Sequence, residues 1–457
     1  MRKLWAAFLF LTCLAGEDWT RFRGPNGSGV SKDKGFPTVF AKDKNVQWRT
    51  PVRPGKSSPV LTRRHIFLTA SDRGKLYTQC FERKSGKLLW ERSVDRARTE
   101  IANRLNHEAA PTPVTDGENV FSFFKDFGLV SYDSAGKLRW TAPLGPFANA
   151  QGLSASPILA GDSVIILADQ WENSFIGAFS VANGEMRWKA SREETESWGT
   201  PVLHEAAGAP PRIATVSRGL FAMHAVSDGR RAVTLEGLAI AVIASPVIDG
   251  DTVYAFGYGV ETAAPFGPRV ERLDRNKDGR LSPEEYGDDP ILNNVGARAG
   301  NRDGVVTEDE WKIFADRVLG PNALFAVRIE GGGARILWRY DKNFTSVIPS
   351  PLHYQNVLYV VRNGGILTTH DASTGGVLKT ARIEGALGGY SSSPVAAEGK
   401  VWLASEEGKV SVLRAAGEWD VLAVNDLGEG CYATPALSEG VIYLRTEQAL
   451  YAFREMR

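Results

Sequence analysis

Residues 154–191 read SASPILAGDSVIILADQWENSFIGAFSVANGEMRWKAS. SPIL predicts a first strand, since proline is tolerated at a strand's first residue. GD turns the chain and SVIILAD predicts a second strand. A variable loop leads to SFIGAFS, the third. VANGE turns again and MRWKAS is the fourth. The same order recurs along the chain. A Ser-Pro or Thr-Pro pair followed by a small apolar run appears at Pro59, Pro113, Pro157, Pro201, Pro246, Pro351, Pro394 and Pro435. The gaps are 54, 44, 44, 45, 105, 43 and 41. All but one match the length of a four-stranded propeller blade. The long gap is one repeat plus roughly 60 residues.

The second strands, among them HIFLTA, NVFSFF, TVYAFG and VIYLR, are nearly continuous apolar runs. A strand covered on both faces reads this way, as in a blade between two neighbours. The last unit, ATPALSEGVIYLRTEQALYAFREMR, supplies three strands and stops. VQWRTPV at 46–52 offers the missing fourth. Its Trp48 matches Trp90, Trp140, Trp188 and Trp338, each in a fourth strand. The expectation is an all-β, eight-bladed propeller closed by an N-terminal strand, which removes the open edge. An open solenoid of sheets is the alternative, and the incomplete last unit argues against it.

The pattern of S/T-P, turn, apolar strand and T-G-x-x-x-W resembles pyrroloquinoline-quinone-type propeller repeats. SYDSAGKLRW and AFSVANGEMRW are good copies, and HDASTGGVLK keeps the turn but loses the Trp. DWTRFRGPNGSGVS at 18–31 is similar to the start of secreted propellers of this kind. The resemblance covers about residues 18–457 apart from the long insertion. It implies the fold. It does not choose a function, because the family includes quinoprotein dehydrogenases, an outer-membrane assembly lipoprotein and members without a known role.

The insertion, 258–321, falls between the second and third strands of blade five. Within it, Asp274, Asn276, Asp278, the Arg280 carbonyl, Ser282 and Glu285 occupy positions 1, 3, 5, 7, 9 and 12 of an EF-hand loop, with Gly279 at the sharp turn. Ser282 and Glu285 also predict a capping box, with Pro283 at the first helical position. A second loop, 299–310, places Asn301, Asp303, Val305, Thr307 and Glu310 at positions 3, 5, 7, 9 and 12. Ala299 stands at position 1, where an Asp is expected, so this loop should bind calcium more weakly or only support its partner. Leu281 and Val306, both at position 8, should pair. Calcium is the expected metal.

Loops between second and third strands, and those before each first strand, should emerge on one rim. They bring Arg73, His107, Glu108, Asp169, Trp171, Trp198, Arg218 and Arg362 together, with Tyr390 and Tyr432 beside them. Such a rim suits an anionic or aromatic ligand, a peptide, another protein or a glycan. The first functional reading is an exported, calcium-binding module for binding or scaffolding. The alternative is a pyrroloquinoline-quinone-dependent dehydrogenase of alcohols or sugars, with Trp171 or Trp198 stacked on the quinone and Asp169 or Glu108 as base. Its family members often carry adjacent cysteines, which this chain lacks. No HExxH, GxSxG or GxxxxGK[ST] is present.

Lys and Arg number 54 against 53 Asp and Glu. That balance argues against a nucleic-acid partner. MRKLWAAFLFLTCLAG reads as a signal peptide over 1–16, so the chain is expected in the periplasm or outside the cell. Thr12 before Cys13 does not favour a lipid anchor. Residues 17–45 form an N-terminal arm and 46–457 the propeller, expected as a monomer without a transmembrane segment. Cys80 and Cys431 fit either a disulfide or two small buried hydrophobes.

Overall fold

The computed structural model describes residues 18–99, 106–149, 151–239, 242–257, 265–318, 322–342 and 348–456. The 1–16 leader and Cys13 lie outside these. Eight antiparallel sheets of four strands make up the β-structure. In blade three the strands are Ile158–Ala160, Ser163–Ala168, Phe175–Ser180 and Met186–Ser191. The first strand begins one residue after the proline. The two middle strands are buried along their whole length, while the fourth alternates toward solvent. Val46–Pro51 is hydrogen-bonded to Ala449–Arg454 and is the outermost strand of the sheet holding the last three strands of the chain.

The repeated Ser or Thr has a second task besides preceding proline. Its backbone N–H donates to the hydroxyl of the same residue in the next blade. Ser58 donates to Thr112 Oγ1 (2.9 Å), Thr112 to Ser156 Oγ (3.0 Å) and Ser156 to Thr200 Oγ1 (3.0 Å). Thr200 donates to Ser245 (2.9 Å), Ser245 to Ser350 (3.0 Å), Ser350 to Ser393 (3.0 Å) and Ser393 to Thr434 (3.0 Å). Thr434 N–H then donates to Ser58 Oγ at 3.0 Å. The circle is unbroken. Every member is buried, where an unpaired amide would be costly.

A second relay runs near the outer edge. The indole N–H of Trp48, Trp90, Trp140, Trp188 and Trp338 donates to Arg83, Ser134, Val181, Val226 and Ala372 carbonyls in the following blade. The ring lies over that blade's turn glycine. A Cβ on Gly184 (φ +76°) would sit 2.5 Å from the Trp140 ring, so both the backbone and the space demand glycine. This is the physical content of the G-x-x-x-W spacing. At the seam between blades eight and one, Arg445 is buried and donates to the carbonyls of Ser57, Thr69 and Arg53.

Among the described residues, four helices separate Thr252–Gly257 from Ala323–Glu330, two strands that pair directly. They are α1 (Gly267–Leu273), α2 (Pro283–Tyr286), α3 (Pro290–Arg298) and α4 (Glu308–Val318). They enclose a small core of their own built on Phe266, Leu281, Tyr286, Leu292, Val295, Val306 and Trp311. The insertion therefore leaves the sheet register intact. No helix among the described residues is long and apolar enough to cross a membrane. Cys80 and Cys431 are unpaired and buried in different clusters, so the disulfide alternative falls.

Thr434→Val keeps the side-chain shape but leaves the Ser393 amide buried and unpaired. It should cost about 1–3 kcal/mol, read by equilibrium unfolding in guanidinium. The same change at Thr200, far from the seam, should cost a similar amount. A loss within ~0.5 kcal/mol, the usual range of an inert substitution, would show that the circle does not hold the blades.

Candidate functional site

Two stacked rings of side chains line a cavity of about 300 Å³ on the propeller axis. One is the hydroxyl circle. The other lies three residues before each proline: Lys56, Ala110, Ser154, Trp198, Ile243, Ile348, Ser391 and Tyr432. Trp198, Ile243 and Ile348 come from consecutive blades and form an apolar arc. Across the axis, Lys56 Nζ stands 3.8 Å above the Tyr432 ring centre. The Trp198 indole is fixed by hydrogen bonds to the Gly152 carbonyl (3.0 Å) and Asn149 Oδ1 (3.2 Å). Phe22 of the N-terminal arm completes the lining from below, and Asn106 and Gln151 stand at the side.

The arm closes the other end of the channel. Trp19 and Thr20 carbonyls accept the N–H groups of Leu61 and Thr115. Asn26 makes a reciprocal pair with the Leu203 backbone. Gly29 and Ser31 bond to Ala396. First strands of blades one, two, four and seven thus have inner-edge groups met by the arm.

Of the eight rim residues expected to meet a ligand, Trp198 alone lines this cavity. Asp169 is a correction: it is fully buried, not on the rim. Its carboxylate lies 2.7 Å from Arg192 Nε and accepts the Ser197 hydroxyl at 2.6 Å. Arg192 continues to Ser217 Oγ (2.6 Å) and His224 Nε2 (2.9 Å) in blade four. The residue is an inter-blade tie. Glu108 faces Arg96 (3.5 Å) and His107 (3.2 Å), and Arg96 reaches the buried Asp126 (2.6 Å). Arg73 projects into solvent beside Asp72. Trp171 and Arg362 are half-buried and do not line the cavity. Arg218 donates to Thr195 Oγ1 (3.2 Å) and to the Asp316 carbonyl of α4 (2.9 Å), tying the insertion to blade four. Arg302 of the insertion pairs with Glu172 of blade three. Tyr390 is a second correction. It is packed in the core with its hydroxyl on the Ala386 carbonyl, and does not face the rim. The lining residues missed, Lys56 above all, had a signal in the sequence: a fixed offset from each repeated proline.

In the insertion, Leu281 and Val306 exchange backbone hydrogen bonds of 2.9 and 2.8 Å, joining the two loops. Asp274 accepts the amides of Lys277 (2.6 Å) and Gly279 (2.9 Å), and Asp278 accepts that of Arg280 (2.8 Å). Glu285 reaches back to the amides of Arg275 (2.9 Å) and Ser282 (2.9 Å). These amides, Ser282's first, hold its carboxyl below the usual range. In the second loop Glu310 accepts Asn301 N–H (3.1 Å) and Thr307 N–H (3.0 Å). Asn301 Oδ1 accepts Asp303 N–H (3.0 Å), and Asp303 accepts that of Val305 (2.8 Å). At position 1 the Ala299 carbonyl takes the Arg302 amide that a carboxylate would take. Among the described residues no three His, Cys, Asp or Glu side chains converge as a metal cluster.

The family model described as outer membrane protein assembly factor BamB matches residues 27–207 and 304–456. The crystal structure of BamB from Moraxella catarrhalis superposes with a TM-score of 0.56 at 12% identity, covering 89% of this chain and 100% of that one. The computationally designed Ika8 protein gives 0.55 at 12% identity, covering 92% and 100%. A europium-containing methanol dehydrogenase gives 0.42 at 9% identity over 87% and 89%, too little to carry an argument. These structural likenesses speak for the fold. No curated protein matches in sequence.

The Arg192 network makes a pH prediction. Arg192 donates to His224 Nε2, so His224 carries its proton on Nδ1, facing the Gly229 carbonyl (3.1 Å). Burial, and then Arg192, push its pKa down from 6.5 to about 4. A depressed folded value means the contribution is complete above the unfolded pKa and is lost as pH falls toward the folded one. Stability should therefore drop between about pH 6.5 and 4, by about 3 kcal/mol from this group. His224→Asn should flatten that part of the profile. Coincident profiles would remove His224 from the acid response.

Proposed function

The chain belongs to the family of the outer membrane protein assembly factor BamB, and on that footing we propose that it is a binding and scaffolding propeller, exported and decorated by a calcium-binding EF-hand pair. The observation that carries the binding reading is the axial cavity. An apolar arc of Trp198, Ile243 and Ile348 faces Lys56 and Tyr432 across a ring of hydroxyls. A cavity of about 300 Å³ has room for a side chain or chain end, so we take the ligand to be an extended peptide or glycan. Aromatic and apolar walls supply area, and the few polar groups fix orientation. The family name points to a polypeptide before a sugar.

Calcium binding rests on the loop chemistry. A hard cation asks for clustered oxygens. Asp274, Asn276, Asp278, the Arg280 carbonyl, Ser282 and Glu285 supply them, and the amide hydrogen bonds to these carboxylates leave further lone pairs on each oxygen. Asn301, Asp303, Val305, Thr307 and Glu310 form the weaker partner. Export is proposed from the 1–16 segment and accords with the family's name.

The dehydrogenase reading has no observation in its favour. Asp169 is held by Arg192 and Glu108 by Arg96, so neither stands ready as a base.

Labelled extended peptides and oligosaccharides, titrated by anisotropy, test the mouth. A subset should saturate, and Trp198→Ala should weaken binding at least tenfold, about 1.4 kcal/mol. Saturable quenching of Trp fluorescence by pyrroloquinoline quinone, lost in the same variant, would return the enzyme reading. For calcium, Glu285→Gln should reduce affinity on the order of tenfold or more by calorimetry, and Glu310→Gln less. Equal effects, or no heat of binding in the wild type, would defeat the assignment.

A further inference from the structure

The arm that closes the channel carries two arginines turned inward. Arg21 is 6% exposed and Arg23 is fully buried. Arg21 Nη2 donates to the Pro201 carbonyl (2.5 Å) and Nη1 to Asn26 Oδ1 (3.4 Å). Arg23 Nη2 donates to the Pro351 carbonyl (2.7 Å) and to that of Ser28 (3.4 Å). Arg21 Nε, Arg23 Nε and Arg23 Nη1 are buried with no partner. Among the described residues neither guanidinium forms an ion pair, and the charge of Arg21 bears unfavourably on Arg23. Burial lowers both to about 9, which still leaves both cationic at neutral pH.

Of the other buried arginines among the described residues, Arg445 also lacks a carboxylate, but both its terminal nitrogens have acceptors, on Ser57, Thr69 and Arg53, and the remaining two are paired with acids. Arg192 meets Asp169, and Arg83 meets Glu439. Two like charges taken out of water without a counter-charge carry a large desolvation penalty. Water could fill the open N–H positions but would leave the charge unbalanced. Carbonyl dipoles at Pro201 and Pro351 offset part of it, on one side of each guanidinium only.

We propose that the Arg21–Arg23 pair binds a small inorganic anion, of halide to sulfate size, sealed in the floor of the axial channel. The complete burial of Arg23 sets the size: an organic acid would have to displace the arm. The unpartnered Arg21 Nε, Arg23 Nε and Arg23 Nη1 supply the charge-assisted donors such an anion needs. The site is separate from the mouth above Phe22 and does not depend on what binds there.

The test uses the mature protein crystallised in sodium bromide, with an anomalous difference map. A bromide peak beside Arg23 Nη1 is expected. In parallel, the unfolding midpoint is followed as gluconate is exchanged for chloride, bromide or sulfate at constant ionic strength. It should rise saturably with at least one of the small anions, and Arg23→Gln should lose that rise. A response to sulfate alone would keep the proposal and define an oxyanion site. Density that refines as water, together with equal midpoints in gluconate and every small anion, would overturn it. If Arg23→Gln fails to fold, the wild-type map and midpoint series decide.

Discussion

One hydrogen bond, repeated eight times, organises this molecule. The amide before each proline points at the neighbouring blade's hydroxyl, and the circle returns to its start from Thr434 to Ser58. Proline makes this arrangement necessary as well as convenient. It removes the next donor and holds the preceding residue extended, so each Ser or Thr amide faces sideways into the next sheet. A buried donor with one acceptor in reach sets the angle between blades. Everything else, from the Trp-on-glycine contacts to the axial cavity, is hung on that angle.

Charged groups between the blades are structural. Arg192, Asp169, Glu194 and Arg231 join blades three and four. Arg96, Asp126 and Glu108 do the same between one and two. Glu429 gathers Arg49, Lys42 and Tyr451 at blade eight. Such groups lock sheets whose apolar faces alone would slide, since hydrophobic contact is non-directional. In the axial cavity the side chains three residues before each proline vary from blade to blade and do not repeat.

The fold was legible because its determinants are local and periodic. The S/T-P pair, the turn glycine and the Trp all recur at fixed offsets, and each offset has a contact behind it. The paired loops of the insertion were legible for the same reason, down to Leu281 opposite Val306. The site was less so. Asp169 and Trp198 look alike on paper, both polar or aromatic near a loop. Their fates differ because Arg192 arrives beside one, from 23 residues away, and the axis lies beside the other. The sequence marks 17–45 as an arm without a role; that role depends on carbonyls such as Pro351, 328 residues distant from Arg23.

The arm also constrains how the chain can reach this state. Its residues are made first, yet Gly29 and Ser31 bond to Ala396 in blade seven, and Val46–Pro51 awaits Ala449–Arg454. Neither contact exists until nearly the whole polypeptide is available. Pairings so distant pay loop-closure entropy before they return stability. The propeller cannot be finished from either end. The arm's contacts with blades one, two and four can form earlier, but its full set requires blade seven.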